Sequence, residues 1–150
     1  GITTAADTSV AVPVGSRAFD TSGGEWVYIR GTASTSNGTW VVYDLAGDRT
    51  ELLGSTADGL TNFKGPVAIF GTAVTATQFG WAQIYGVNRS ASTDTIATRQ
   101  QLYVDGTAGR VDDSDTAGSA VVNAISLSTD STNVATVFIN YPFMTGAALD

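Results

Sequence analysis

Four aspartates in one short stretch are the residues of this sequence best suited to chemistry. Asp105, Asp112, Asp113 and Asp115 lie close together among glycines and other small residues. Calcium binds about six to eight oxygen ligands, and closely spaced aspartates can supply several of them. The spacing differs from the D-x-D-x-D-G loop that a glutamate closes, and no glutamate lies within reach. Cation binding and solvated turn aspartates therefore stand as alternatives at this cluster.

The two glutamates, Glu25 and Glu51, are the other candidates for acid–base chemistry. Two carboxylates that face each other across a cleft can hydrolyse glycosides. Glu25 begins a predicted strand, and Glu51 follows Arg49 in a predicted loop, so no pattern places the pair across a cleft. The sequence favours the alternative, which is two exposed surface charges.

Three tryptophans, Trp26, Trp40 and Trp81, are candidates for a platform on which sugar rings stack. Tryptophans also fill core and interface positions because they bury a large apolar area. A carbohydrate-binding or tail-fibre-type β-sandwich module is therefore one possible function. It requires exposed tryptophans on one concave face.

Histidine and cysteine are absent, and Lys64 is the single lysine. The absence excludes Ser-His-Asp and Cys-His nucleophiles in their ordinary form, disulfides, and metal sites built from imidazole or thiolate. We expect no enzyme activity and no cofactor.

The charge balance argues against two classes of partner. Lys and Arg total 7, Asp and Glu total 14, and the net charge is −7. Nucleic-acid affinity depends on clustered cations, and anionic membranes attract basic surfaces. No run approaches the ~20 apolar residues that span a membrane. We expect neither nucleic acid nor membrane as a partner.

Composition and pattern indicate strands throughout. Charged residues make up 14% of the chain, against about 25% in an average soluble domain. Threonine, serine, glycine and alanine replace the usual helix formers. Strands are predicted over residues 25–30, 39–44, 67–74, 79–87, 95–97, 101–104, 110–112, 120–127 and 134–140. We predict an all-β, single-domain antiparallel β-sandwich or partly open β-barrel over residues 15–150, with an extended N-terminal arm.

Residues 1–14 are predicted to form that arm or a first edge strand. Val10, Val12 and Val14 alternate with period two, which places them on one face of an extended segment. Pro13 cannot donate a ladder hydrogen bond, which suits an edge or an arm. We predict that the valines add a strand to a neighbouring chain. Deleting residues 1–14 should then leave the melting transition nearly unchanged.

The sequence Tyr141-Pro-Phe-Met144 leaves the last predicted strand with three large apolar side chains. Aromatic and methionine anchors are enriched at interfaces, and packing under the domain's own sheet is the alternative. The glycines and alanine within residues 79–87 either admit another subunit or relieve crowding inside the domain. Partner contacts are predicted at Val10, Val12, Val14, Trp26, Tyr141, Phe143 and Met144.

Six segments resemble small head proteins of tailed bacteriophages, and the likeness spans residues 15–144. They are residues 15–19, 24–29, 67–74, 80–86, 102–113 and 135–142. The resemblance implies a capsid decoration or cement protein, typically trimeric, on the outer surface of the virion. Such a protein bridges major capsid protein subunits and has no catalytic residues.

Overall fold

The computed structural model describes residue 2 and residues 5–33, 35–54, 65–114 and 120–144. These residues form strands and turns, with no helix, and therefore no helix that could cross a membrane. The ten strands are β1 (Arg17–Phe19), β2 (Glu25–Arg30), β3 (Trp40–Tyr43), β4 (Thr50–Leu52), β5 (Gly65–Phe70), β6 (Phe79–Ser92), β7 (Gln101–Val104), β8 (Val111–Asp112), β9 (Ala120–Ser126) and β10 (Val134–Met144).

All named strands belong to one antiparallel sheet that does not close. The main order is β1-β2-β6-β5-β10-β9-β7-β8, and β3 and β4 extend from β5 as a branch. β10 pairs with β6, β9 and β5 at different points along its length. This architecture confirms the predicted all-β fold, consistent with a sandwich or an open barrel.

β3 and β5 lie between two apolar cores. Trp40 and Ile69 belong to one core cluster, while Val41 and Phe70 belong to the other. Successive side chains of a strand point to opposite faces, so a strand buried on both faces needs a continuous apolar run. This explains why the sequences of both strands lack alternation.

The small residues of β6 relieve crowding inside this domain. A Cβ at Gly80 would lie 2.8 Å from Val74 Cγ2, and a Cβ at Gly86 would lie 3.1 Å from Gly24 Cα. Ala82 is fully buried. This face of β6 is therefore covered by the chain itself and is not free to admit another subunit.

The N-terminal segment packs on its own domain. Residues 5–16 form no strand, and the predicted first edge strand is instead β1. Asp7 and Phe79 exchange two backbone hydrogen bonds of 2.8 and 2.9 Å. The Tyr28 hydroxyl donates to Asp7 Oδ2 at 2.8 Å and accepts from the Ala11 amide at 3.2 Å. These contacts anchor the segment over the buried Tyr28 ring.

The three valines of this segment do not share one exposed face. Val10 is 53% exposed, whereas Val12 and Val14 are half-buried. A Cβ at Gly47 would lie 3.0 Å from Val14 Cγ1, so Val14 packs beside that turn. The predicted period-two stripe is wrong because local turns and the Tyr28 contacts bend the segment.

The predicted short strand at residues 95–97 is also wrong. Asp130 Oδ1 accepts a hydrogen bond from the Ile96 amide at 3.2 Å, and Asp113 Oδ2 accepts one from the Ala97 amide at 2.7 Å. Carboxylate side chains thus satisfy backbone donors that a neighbouring strand would otherwise take.

Candidate interaction face

Three neighbouring strands expose apolar side chains on one side of the sheet. Phe138 of β10 lies directly opposite Val87 of β6 and Ile125 of β9. Further along β10, Phe143 lies opposite Val122 of β9. We call this surface the aromatic face; it consists of Tyr85, Val87, Val122, Ile125, Phe138, Tyr141 and Phe143.

Ring contacts hold the centre of the aromatic face in place. Tyr85 packs edge-on against Phe138 with ring centroids 5.9 Å apart, and it stacks on Tyr141 at 5.5 Å. The Arg17 guanidinium carbon lies 6.0 Å from the centroid of the Tyr141 ring. Such contacts add stabilisation beyond the buried area, so the rings form a preorganised surface.

A bulge in β10 directs Tyr141 onto this surface. The pairing of β10 with β9 shifts register between Ile139 and Phe143. Tyr141 has a φ of 50°, and Asn123 of the bulged partner strand has a φ of 63°. Positive φ is uncommon for residues other than glycine, and bulges re-aim side chains near functional surfaces.

Two depressions are lined by residues of the aromatic face. One, of about 390 Å³, is lined by apolar side chains of the aromatic face together with the amide side chains of Gln101, Asn123 and Asn140. The other, of about 180 Å³, lies between Tyr141, Phe143 and Leu45. The larger one is an open groove, a shape that suits a protein surface better than a small ligand, which deeper concave pockets hold.

A buried carboxylate, that of Glu25, fixes the Tyr141 ring of the aromatic face. Glu25 is 5% exposed, accepts a hydrogen bond from the Tyr141 hydroxyl, and pairs with Arg17 Nη1 at 3.2 Å. The bond to Glu25 raises the pKa of Tyr141, because the carboxylate favours the protonated hydroxyl. The second glutamate, Glu51 of β4, pairs with Arg49 at 2.6 Å. The two glutamates lie on different strands and pair with different arginines, and the expectation that Glu25 is an exposed surface charge is wrong.

The predicted contact residues of the last strand differ in their exposure to solvent. Tyr141 and Phe143 are 46% and 42% exposed on the aromatic face, whereas Met144 is 1% exposed and lies in the core. The prediction of an exposed Met144 is therefore wrong. β10 continues to Met144, and strand alternation turns this side chain inward when Phe143 points outward.

Trp26 lies half-buried beside a turn that fixes its ring. Its Nε1 donates to Asp20 Oδ2 at 2.8 Å, while the other carboxylate oxygen accepts from the Ser22 and Gly24 amides at 2.7 and 2.9 Å. The bond from the Trp26 indole contributes most to lowering the pKa of Asp20, and the bonds from the backbone amides lower it further. Trp40 and Trp81 are buried, so the three tryptophans form no sugar platform.

Replacing Asp20 with asparagine should lower the free energy of unfolding by about 1–2 kcal/mol at pH 7. The amide nitrogen of asparagine cannot accept the indole hydrogen bond. Because the pKa of Asp20 is lowered in the folded state, its contribution is present above the unfolded pKa and is lost as pH falls through the folded value. Thermal melts at pH 7 and in acid will measure both effects.

The matched control for this prediction is Asp48→Asn, since Asp48 is exposed and lies 3.7 Å from an exposed arginine. That variant should unfold like the parent chain. An Asp20→Asn variant with unchanged stability at pH 7 would contradict the assigned role.

The described aspartates of the acidic cluster serve as turn acceptors. Asp105 accepts from the Gly106 and Thr107 amides, and Asp112 accepts from the Ser114 amide. Burial, followed by the neighbouring carboxylates, raises the pKa of Asp112. Within the described part of the chain, no three acidic side chains are grouped as metal ligands, and Asp115 lies outside it.

The residues at the centre of the aromatic face were not among the contact residues predicted from the sequence. Val122, Ile125 and Phe138 alternate with buried neighbours in β9 and β10, a pattern typical of any half-exposed strand. Only the pairing of β9, β10 and β6 brings them beside Tyr141 and Phe143. The available signal for this face in the sequence was the presence of apolar residues at the outward positions of β9 and β10.

The chain matches no protein-family model, and it has no significant similarity to a curated protein or to a solved structure. The fold and the site therefore define its class: an open antiparallel β-sheet protein with a preorganised aromatic surface.

Proposed function

We propose that this chain is a non-enzymatic structural protein that decorates the outer surface of a tailed-phage capsid. It bridges major capsid protein subunits there and acts as a homotrimer. The aromatic face is the observation that carries the proposal, because exposed apolar rings held in fixed positions mark a surface that binds another protein. Its exposed rings include Tyr141 and Phe143. Both lie within residues 15–144, the stretch that resembles phage head proteins.

The area of the aromatic face supports binding to another protein. Strands rise about 3.3 Å per residue and lie about 4.8 Å apart, so three strands over the six positions from Phe138 to Phe143 cover roughly 300 Å². Apolar patches of this size on a single chain commonly mark interaction surfaces. A symmetric shell repeats one weak contact many times. Once one contact has formed, the effective concentration for the next is high, so overall binding is tight.

The chemistry of the other groups also favours a structural role. The carboxylates Glu25 and Asp20 are hydrogen-bonded within their own domain. The net charge of −7 keeps free copies soluble and repels packaged DNA.

Binding to capsids tests the proposal directly. The purified chain is mixed with expanded, DNA-free heads assembled from the major capsid protein of the same genome, and bound protein is measured after sedimentation. We expect saturable binding, and we expect Phe143→Ser to weaken it about tenfold, because aromatic anchors dominate interface energies.

Phe19→Ser is the matched control, since Phe19 is 72% exposed on the edge strand β1 and lines neither groove. This variant should bind like the parent chain. Absence of parent-chain binding to heads, or equal loss in both variants, would refute the proposal.

A further inference from the structure

One dipeptide of the sequence can undergo a reaction that the proposed function does not use. Asn37-Gly38 is the single Asn-Gly pair in the chain. Asparagine is a thermolabile residue, because the backbone nitrogen that follows it can attack its side-chain amide. A glycine in the next position favours this attack, since its backbone rotates freely and carries no side chain. Asn37 is exposed, so its amide is open to water and to base.

The reaction is deamidation, and water is its only co-reactant. The Gly38 backbone nitrogen gives up its proton and bonds to Cγ of Asn37, the bond from Cγ to the side-chain nitrogen breaks, and ammonia leaves. Water then opens the resulting cyclic imide at either carbonyl carbon, which yields aspartate or isoaspartate. Both products carry an additional negative charge, and isoaspartate also adds a methylene group to the main chain.

The fold occupies the nucleophile of this reaction. The Gly38 amide donates a hydrogen bond to the Phe70 carbonyl of β5 at 2.8 Å, and the Gly38 carbonyl accepts one from the Ser92 amide of β6 at 2.9 Å. Gly38 is buried, although Asn37 beside it is exposed. Removing the amide proton would break the bond to Phe70, and a buried acceptor left without its donor costs free energy. The nitrogen is therefore unreactive while β5 and β6 hold Gly38.

The turn formed by residues 36–39 also keeps the two reacting atoms apart. The Thr39 amide donates to the Ser36 carbonyl at 3.1 Å, and Thr39 Oγ1 accepts from the Ser36 amide at 2.9 Å. Gly38 has a φ of +89°, whereas Asn37 is not among the residues with a positive φ. This combination defines a type II turn, in which ψ of the second residue is about +120°. Ring closure instead requires Cβ of Asn37 to eclipse the Gly38 nitrogen, so the turn must open first.

We infer that Asn37 is a modification site whose deamidation is controlled by local opening of the 36–39 turn. While the turn is closed, the bonds to Phe70 and Ser92 protect the Gly38 nitrogen. Opening releases that nitrogen and lets the imide form. Isoaspartate lengthens the main chain, so Gly38 can no longer reach both partners when the turn closes again. The modification is therefore a permanent record of opening, and it does not depend on whether the chain binds a capsid.

Mass spectrometry of one tryptic peptide measures the reaction in the intact chain. Cleavage after Arg30 and Arg49 releases residues 31–49, in which Asn37 is the single residue with a side-chain amide. The intact protein and a synthetic peptide of the same residues are incubated side by side in a mildly alkaline buffer. We expect deamidation of the intact chain to be at least about a hundredfold slower than that of the peptide, since only molecules with an open turn react.

Variants at Thr39 test whether the turn is the barrier. Thr39→Val removes the acceptor of the Ser36 amide and keeps the shape of the buried side chain. It should speed deamidation about five- to tenfold, because the closed turn loses a hydrogen bond. Thr39→Ser keeps the hydroxyl and should react at about the rate of the parent chain. Asp20→Asn, which destabilises the chain elsewhere, should also leave the rate unchanged. Melting curves will verify that each variant folds.

Three results would overturn the inference: deamidation of the intact chain at the rate of the peptide, no acceleration by Thr39→Val, or equal acceleration by Thr39→Val and Asp20→Asn. The last result would mean that global unfolding, and not the turn, controls the reaction. The comparison of the parent chain with the peptide needs no variant, so it decides the first point by itself.

Discussion

Replacing Gly38 with alanine should lower the free energy of unfolding by about 3–4 kcal/mol, the largest effect expected from an added methyl group at any of the described glycines. Gly38 has a φ of +89°, and an added Cβ would lie 1.7 Å from the Ser90 carbonyl oxygen. The Gly38 amide donates to Phe70 at 2.8 Å, and its carbonyl accepts from Ser92 at 2.9 Å. The methyl group therefore cannot be accommodated without displacing β6.

Thermal unfolding and denaturant titration measure this effect, and a decrease in Tm of about 10 °C is expected. Gly106→Ala is the matched control, because no atom lies within 4 Å of a Cβ at that position. Its stability should stay within about 0.5 kcal/mol of the parent chain. Equal stability of the two variants would show that the Gly38 loop is not packed against β6 as described.

Deleting residues 1–14 should lower the free energy of unfolding by about 2–4 kcal/mol. The deletion removes the paired backbone bonds between Asp7 and Phe79 and both bonds to the Tyr28 hydroxyl. It also uncovers the Tyr28 ring, which is fully buried in the intact chain. This replaces the expectation from sequence that the deletion would leave the melting transition nearly unchanged.

Denaturant unfolding of the shortened chain, followed by tryptophan fluorescence, measures the loss. Tyr28→Phe keeps the ring and removes only the hydroxyl, so it should cost about 1 kcal/mol and separates the hydrogen bonds from the burial. An unchanged unfolding midpoint after the deletion would return the segment to the role of a free arm, available to a neighbouring chain.

The sequence by itself determined the fold class and most of the strands. Runs of aromatic and β-branched residues in β2, β3, β5 and β6 leave few other options, because such side chains pack well on a pleated surface and poorly in helices. The absence of histidine and cysteine likewise excludes chemistry that needs an imidazole or a thiolate. These conclusions depend on residue type and local period alone.

The short edge strands β1 and β4 escaped prediction because three-residue strands carry no measurable period. The extent of β10 was also missed, since Pro142 indicates a strand end and only the bulge at Tyr141 lets pairing resume beyond it. Strand length near a proline thus depends on which partners lie on either side.

Only the tertiary structure decided which apolar residues face outward together. Phe138, Ile125 and Val122 look in sequence like ordinary strand residues, and Met144 looks like an anchor. Register places the first three on one surface with Tyr141 and turns Met144 into the core. A one-residue shift of register reverses every side chain of a strand, so the composition of a sheet face is a property of the strand pairing, which the local sequence does not contain.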